Sequence, residues 1–145
     1  MQLQTVNRTD AEKIFGSFTN VAGATMTTGH AVCMTKTVAS LDGNQAIQPA
    51  AGNLSAFMGL TVADVADNVQ GRYQCYGYNG SVFCFSEATS VSIAVGEHAL
   101  GPGNASLGVG VTGFTDVLGP VIMLASIGAV VRSGTGYTQG FIKAM

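Results

Sequence analysis

Charge is scarce in this sequence. Lys, Arg, Asp and Glu make up only 10% of its 145 residues, against about a quarter in a typical soluble domain. The six basic residues, Arg8, Lys13, Lys36, Arg72, Arg132 and Lys143, are scattered along the chain. Non-specific nucleic-acid binding needs several phosphate contacts in one place, so that class of partner is not expected. Long apolar runs are also missing. The longest, Val121 to Val131, is interrupted by Ser126 and Gly128 and falls short of the roughly 20 residues that cross a bilayer as a helix, so no membrane partner is expected. The opening Met1-Gln2-Leu3-Gln4 has neither a basic nor an apolar signal region, which leads us to expect a soluble protein made in the cytoplasm. Cysteine occurs three times, as Cys33, Cys75 and Cys84. That is too few for a disulfide scaffold, and the spacing suits no zinc site.

What the chain has in quantity is apolar residues, at 47%, and glycine, at 20 positions. Such a composition leaves the surface to Ser, Thr, Asn, Gln and Gly, and it signals many tight turns between short strands.

Residues 1–11 are polar and aperiodic and read as an N-terminal arm, with residues 12–145 as a single β domain. Thr9-Asp10-Ala11-Glu12 matches a helix capping box. Gly16 and Phe18-Thr19-Asn20-Val21 are poor helix formers, however, so a strand is expected over 13–21. Asp42-Gly43 predicts a hairpin in which Val38 faces Ile47. Residues 54–60 form the next apolar run, and 64–71 read as a turn-rich connection or a short helix. The clearest local signal is Asn79-Gly80 between two aromatic runs, 72–78 and 81–85, which predicts a second hairpin with a type I′ turn. In that register Cys75 would face Cys84. Residues 101–113 read as a long glycine-rich loop, 114–131 as two strands around Gly119-Pro120, 133–136 as a turn, and 141–145 as a closing strand. Eight to ten short strands at even spacing predict an all-β fold, a small β-barrel or β-sandwich of antiparallel strands.

Each candidate site has an ordinary structural explanation beside it. Gly108-Val-Gly110-Val-Thr-Gly113 spells a dinucleotide-binding pattern, but Gly119-Pro120 stops any helix that would follow, and no acidic residue stands about twenty positions on. A surface loop is expected instead, and no cofactor. Cys75 and Cys84 would sit as a non-hydrogen-bonded pair, close enough for a disulfide, while a reducing cytoplasm would keep two packed thiols. Both alternatives stand. His30 follows a turn glycine and His98 nearly does; Cys33, three residues after His30, would point to the opposite face of a strand, and Glu97 beside His98 reads as a turn pair, so no catalytic dyad is expected. Asp64 and Asp67 lie in a turn-like segment where capping bonds account for them. No catalytic set and no metal site are expected, so the chain is not read as an enzyme. Tyr76, Tyr78, Phe83 and Phe85 share one face of the aromatic segment and are candidates for an oligomer interface, where aromatic residues are over-represented. A central strand pair covered on both sides would carry the same pattern.

Four segments give the chain a family resemblance: Asn7-Arg-Thr-Asp-Ala-Glu-Lys-Ile-Phe15 leading into Asn20-Val21; Gln48-Pro49-Ala50 through Phe57-Met-Gly-Leu60; Asn68-Val-Gln-Gly-Arg-Tyr-Gln-Cys-Tyr-Gly-Tyr78; and Gly140-Phe-Ile-Lys-Ala-Met145. In order and spacing these resemble the small head-decoration, or capsid cement, proteins of tailed bacteriophages. The resemblance implies a virion protein on the outer capsid surface. It would form a homotrimer and bind the phage major capsid protein, bridging neighbouring subunits after head expansion. The arm, with Leu3, Val6 and Arg8, is the candidate for reaching a neighbouring subunit. The rival expectation is a glycan- or host-surface-binding module displayed on the virion, as a head-fibre base or tail accessory protein, using exposed Tyr76 and Tyr78 to stack on sugars.

Overall fold

A computed structural model of the chain describes residues 12–35, 44–49, 56–86, 91–93, 98–103, 106–109, 121–123, 127–130 and 135–144. The arm, with Leu3, Val6 and Arg8, lies outside the described residues. Among those residues the fold is all-β, with no α-helix. The strands are β1 (Ile14–Asn20), β2 (Ala31–Met34), β3 (Gln45–Ile47), β4 (Phe57–Thr61), β5 (Gln70–Ser86), β6 (Val91–Ile93), β7 (His98–Gly103), β8 (Ser106–Val109), β9 (Val121–Met123), β10 (Ile127–Val130) and β11 (Thr135–Lys143). Period-two burial explains the terminal strands. Phe18 and Asn20 of β1 are buried with Ser17 exposed between Gly16 and Phe18, and Thr138, Gly140 and Ile142 of β11 are buried while Tyr137, Gln139 and Lys143 are exposed.

Strand β5, 17 residues long, organises the fold. Its first half closes a ring of five strands in the order β1-β3-β2-β4-β5, with β5 pairing back onto β1. Its second half closes another ring, β5-β11-β9-β7-β8, with β8 pairing back onto β5. Closure satisfies backbone groups that an open sheet would leave at its edges. Each ring has one parallel pairing, β1–β3 and β5–β8, and the rest are antiparallel, so the expectation of purely antiparallel strands is corrected to a mixed sheet. Phe18, Met26, Val32, Ala46 and Val65 form one core cluster. Ala31 and Leu60, on the other face of β2 and β4, pack with Val82, Cys84, Val121 and Ile142 of the second ring. Strands β6 and β10 pair as a separate two-stranded sheet.

Three local expectations are overturned. The Asn79-Gly80 hairpin does not form: residues 70–86 are one strand. A type I′ turn needs positive φ at both central residues, and neither Asn79 nor Gly80 has it. The Asn79 side chain is used inward instead, donating to Gln74 Oε1 (3.1 Å) and accepting from the Ser81 N–H (2.8 Å). Strand β11 then supplies one continuous partner for both halves, from Phe85 opposite Thr135 to Tyr76 opposite Lys143, with a bulge at Gly80 and Ser81. Secondly, the runs flanking Asp42-Gly43 do pair antiparallel, but Cys33 faces Ile47 in place of Val38. The turn dipeptide itself lies outside the described residues. Thirdly, the expected 101–113 loop contains paired strand: β7 runs to Gly103 and β8 covers 106–109. Gly108 is therefore a strand residue, and residues 110–113 of the dinucleotide-like pattern lie outside the described set.

Candidate interaction surface

The β5–β11 register sorts this ribbon into two faces. Gly77, Asn79, Val82 and Cys84 oppose Ile142, Gly140, Thr138 and Gly136 on the inner side. The outer side carries Tyr76, Tyr78 and Phe83 of β5, opposite Lys143, Phe141 and Tyr137 of β11. The bulge adds one residue and so keeps the aromatics before and after it on the same side. Phe85 shares that register face, opposite Thr135, and its side chain lies outside the described residues. The predicted sharing of one face thus holds, although on a single strand.

At one end of this face Tyr76 meets Phe141 edge-on, with centroids 5.2 Å apart. The Lys13 ammonium stands 5.9 Å over the Tyr78 ring, within cation–π range. Tyr76 has Ile14 as its register partner on β1 and Lys143 on β11, so the first and last strands meet here. Ala144 donates its N–H to the Cys75 carbonyl (3.0 Å), and the Cys75 thiol donates to the Ile14 carbonyl (3.4 Å). Gly77 has φ +99°, and a Cβ there would collide with the Glu12 carbonyl. Only glycine lets the start of the described chain lie so close.

At the other end the His30 ring stacks on Phe83, 4.1 Å apart and nearly parallel, and Phe83 meets Tyr137 at 5.1 Å. Tyr137 is half exposed, at 51%. The Phe83 N–H donates to the Gly29 carbonyl (3.0 Å), which fixes the 27–30 turn against β5. Burial lowers the His30 pKa below its ordinary value, and the Asp64 carboxylate only partly offsets this. Its buried Nδ1 has no hydrogen-bond partner.

Two buried amides set the geometry, and sequence reasoning did not single out either. Gln74, 2% exposed, donates to the carbonyls of Tyr76 and Tyr78 (both 3.0 Å) and braces the aromatic segment from behind. Asn20, fully buried, donates to the carbonyls of Ala24 (2.8 Å) and Val65 (2.9 Å) and accepts from the Ala22 N–H (2.9 Å). It ties the 21–30 loop to the 62–69 loop. Nothing in the local sequence separates such amides from turn residues. Tyr137 and Phe141 were also missed as members of the aromatic face, although their spacing of four in a strand places them on one side.

The acidic candidates are structural, as expected from their turn-like segment. Asp64 accepts from the Thr28 N–H (2.8 Å) and hydroxyl (2.9 Å), and these bonds hold its pKa below the ordinary value. Asp67 accepts from the Gly23 N–H and the Asn68 side chain, both at 2.8 Å. The Cys75–Cys84 pairing falls with the hairpin: the two lie nine positions apart on one strand, roughly 30 Å, far beyond the roughly 7 Å a disulfide spans between Cα atoms. All three cysteines are free thiols, and burial pushes the Cys84 pKa up to about 12. Side-chain contacts of His98 lie outside the described residues. Among the described residues no three His, Cys, Asp or Glu side chains group as a metal site.

No protein-family model matches the chain, and no curated protein sequence matches it.

Proposed function

We propose that this chain is a capsid decoration protein, binding the outer surface of a phage head as a homotrimer and stabilising the expanded lattice by bridging major capsid subunits. The observation that carries the proposal is the outer face of the β5–β11 ribbon. Five aromatic side chains, Tyr76, Tyr78, Phe83, Tyr137 and Phe141, are gathered on one side of a continuous strand pair, in a chain that is only 10% charged. Aromatic enrichment with few charges marks the centre of protein–protein interfaces. The scaffold suits a purely mechanical role, because two closed rings share one strand and present no free edge among their described strands. The mechanism is linkage. A protein that binds only the expanded lattice stabilises it by mass action, with no chemical step.

The test is co-sedimentation of the purified protein with expanded and unexpanded heads. Binding to expanded heads alone is expected, and indifference to expansion would defeat the reading. A glycan-binding role is the second reading, favoured by one observation: Tyr137 is half exposed beside Phe83 and could stack on a sugar ring. Binding to host-surface polysaccharide that is lost in Tyr137→Ala would favour it.

A further inference from the structure

We infer that the end of the aromatic face around Tyr76 is a docking site for an acidic segment of the partner protein. The inference rests on the decoration reading and adds to it the chemistry of the partner. Six residues form the site: Lys13, Ile14, Tyr76, Tyr78, Phe141 and Lys143. The Tyr76–Phe141 edge contact and the Lys13–Tyr78 stack hold the rings in place. Ile14 and Lys143 flank Tyr76 on the two neighbouring strands. Lys13, Ile14 and Lys143 are exposed, and the three rings are half-buried.

Charge chooses the occupant. The described residues contain three cations, Lys13, Arg72 and Lys143. Two of them stand at this site, in a chain of net charge −2. The third, Arg72, lies over Phe15, and the register puts that pair on the opposite face of β1 and β5. Asp64 and Asp67 are engaged by the Thr28 and Gly23 N–H groups of the 21–30 loop, and Glu12 is the described carboxylate next along the chain. The Lys13 ammonium over the Tyr78 ring and exposed Lys143 opposite Tyr76 in the register form a cationic, aromatic surface that favours carboxylates with aliphatic neighbours.

The test uses the full-length protein and expanded heads. Lys13→Glu/Lys143→Glu should bind roughly tenfold or more weakly at about 0.1 M salt, and binding of the unaltered protein should fall as salt rises. Both lysines are exposed, so a melting temperature close to that of the unaltered protein is expected for the variant. Carbodiimide coupling, which joins amines to carboxylates in contact, should link Lys13 or Lys143 to an Asp or Glu of the capsid protein. Salt-insensitive binding that survives the double reversal overturns the inference and leaves the decoration reading standing. Coupling that links copies of this chain to each other overturns it in favour of a self-interface. Absence of binding to heads by the unaltered protein overturns the decoration reading itself.

Discussion

Removing the Asn20 amide should cost more stability than any surface change, because it is the fully buried side chain among the links that join the two loops at one end of the first ring. In Asn20→Ala three hydrogen bonds disappear. Val65 O keeps the Met26 N–H at 2.9 Å, so it is not orphaned. The Ala24 carbonyl and the Ala22 N–H lose the side-chain partner they have. At about 1–3 kcal/mol for each group left unpaired, with part of the site open to water, the expected loss is about 2–4 kcal/mol. That is a large share of the roughly 5–15 kcal/mol that holds a domain together. For a chain of this size it corresponds to a fall of about 6–12 °C in Tm. Urea unfolding followed by far-UV circular dichroism measures it, and an unchanged slope would show that the loss lies in the native state. Asn20→Asp supplies the sign test. It keeps the acceptor for Ala22 but sets a carboxylate oxygen against the Ala24 and Val65 carbonyls. Its folded pKa should therefore be raised, with stability falling as pH rises past the ordinary carboxylate range. A loss below about 1 kcal/mol in the Ala variant, or an Asp variant as stable as the unaltered protein at neutral pH, would refute the assigned network.

Gly29→Ala should destabilise the turn that carries His30 by about 2 kcal/mol or more, since φ is +79° and the new Cβ would meet the Ser81 carbonyl; thermal melts check it. His30 gives a pH dependence. Its folded pKa lies below the ordinary 6.5, so the unfolded chain binds more protons and stability should fall as pH drops from about 6.5 towards the folded value. His30→Phe, which keeps a ring on Phe83 without a titrating group, should flatten the curve between about pH 7 and 5; an unchanged slope would remove His30 as the cause. Asp64 does not confound that window, because its pKa is lowered from 3.8 and its contribution is lost only at more acid pH. Intact mass without reductant should correspond to three free thiols, with half-buried Cys75 alkylating faster than Cys84; a mass two hydrogens lower with a Cys75–Cys84 bond mapped by peptide analysis would contradict the single-strand reading of β5.

Much of the fold class was legible in the sequence, because its cues are local. Poor helix formers over 18–21 point to β1, the apolar run from Phe141 points to the end of β11, although that strand begins at Thr135 where a turn was expected, and glycine with low charge points to turns and short strands. The turn role of Asp64 and Asp67 follows from side chains that reach only their own loop and the one beside it. The shared face of Tyr76, Tyr78 and Phe83 was expected from a hairpin that does not form; on the single strand it comes from the bulge at Gly80 and Ser81, without which alternation would put Phe83 on the opposite side. What local cues could not fix is pairing between distant segments. Asn79-Gly80 has the strongest hairpin signal in the chain, yet β11, some sixty residues on, offers a partner along the whole of 76–85, and a ladder of that length outweighs a two-residue preference. The Cys75–Cys84 expectation failed for the same reason, and so did the register across Asp42-Gly43.

The sequence by itself determined that this protein is all-β, poor in charge and rich in turns, with its aromatics concentrated in one segment. These are properties of composition and of neighbours along the chain. Only the tertiary structure decided that β5 runs unbroken through two closed rings, that Asn20 and Gln74 are buried braces, and that Lys13 and Lys143, near opposite ends of the described chain, flank the Tyr76–Tyr78 segment. Each of those depends on which distant strand satisfies a given backbone hydrogen bond, and that choice is made by the whole sheet at once.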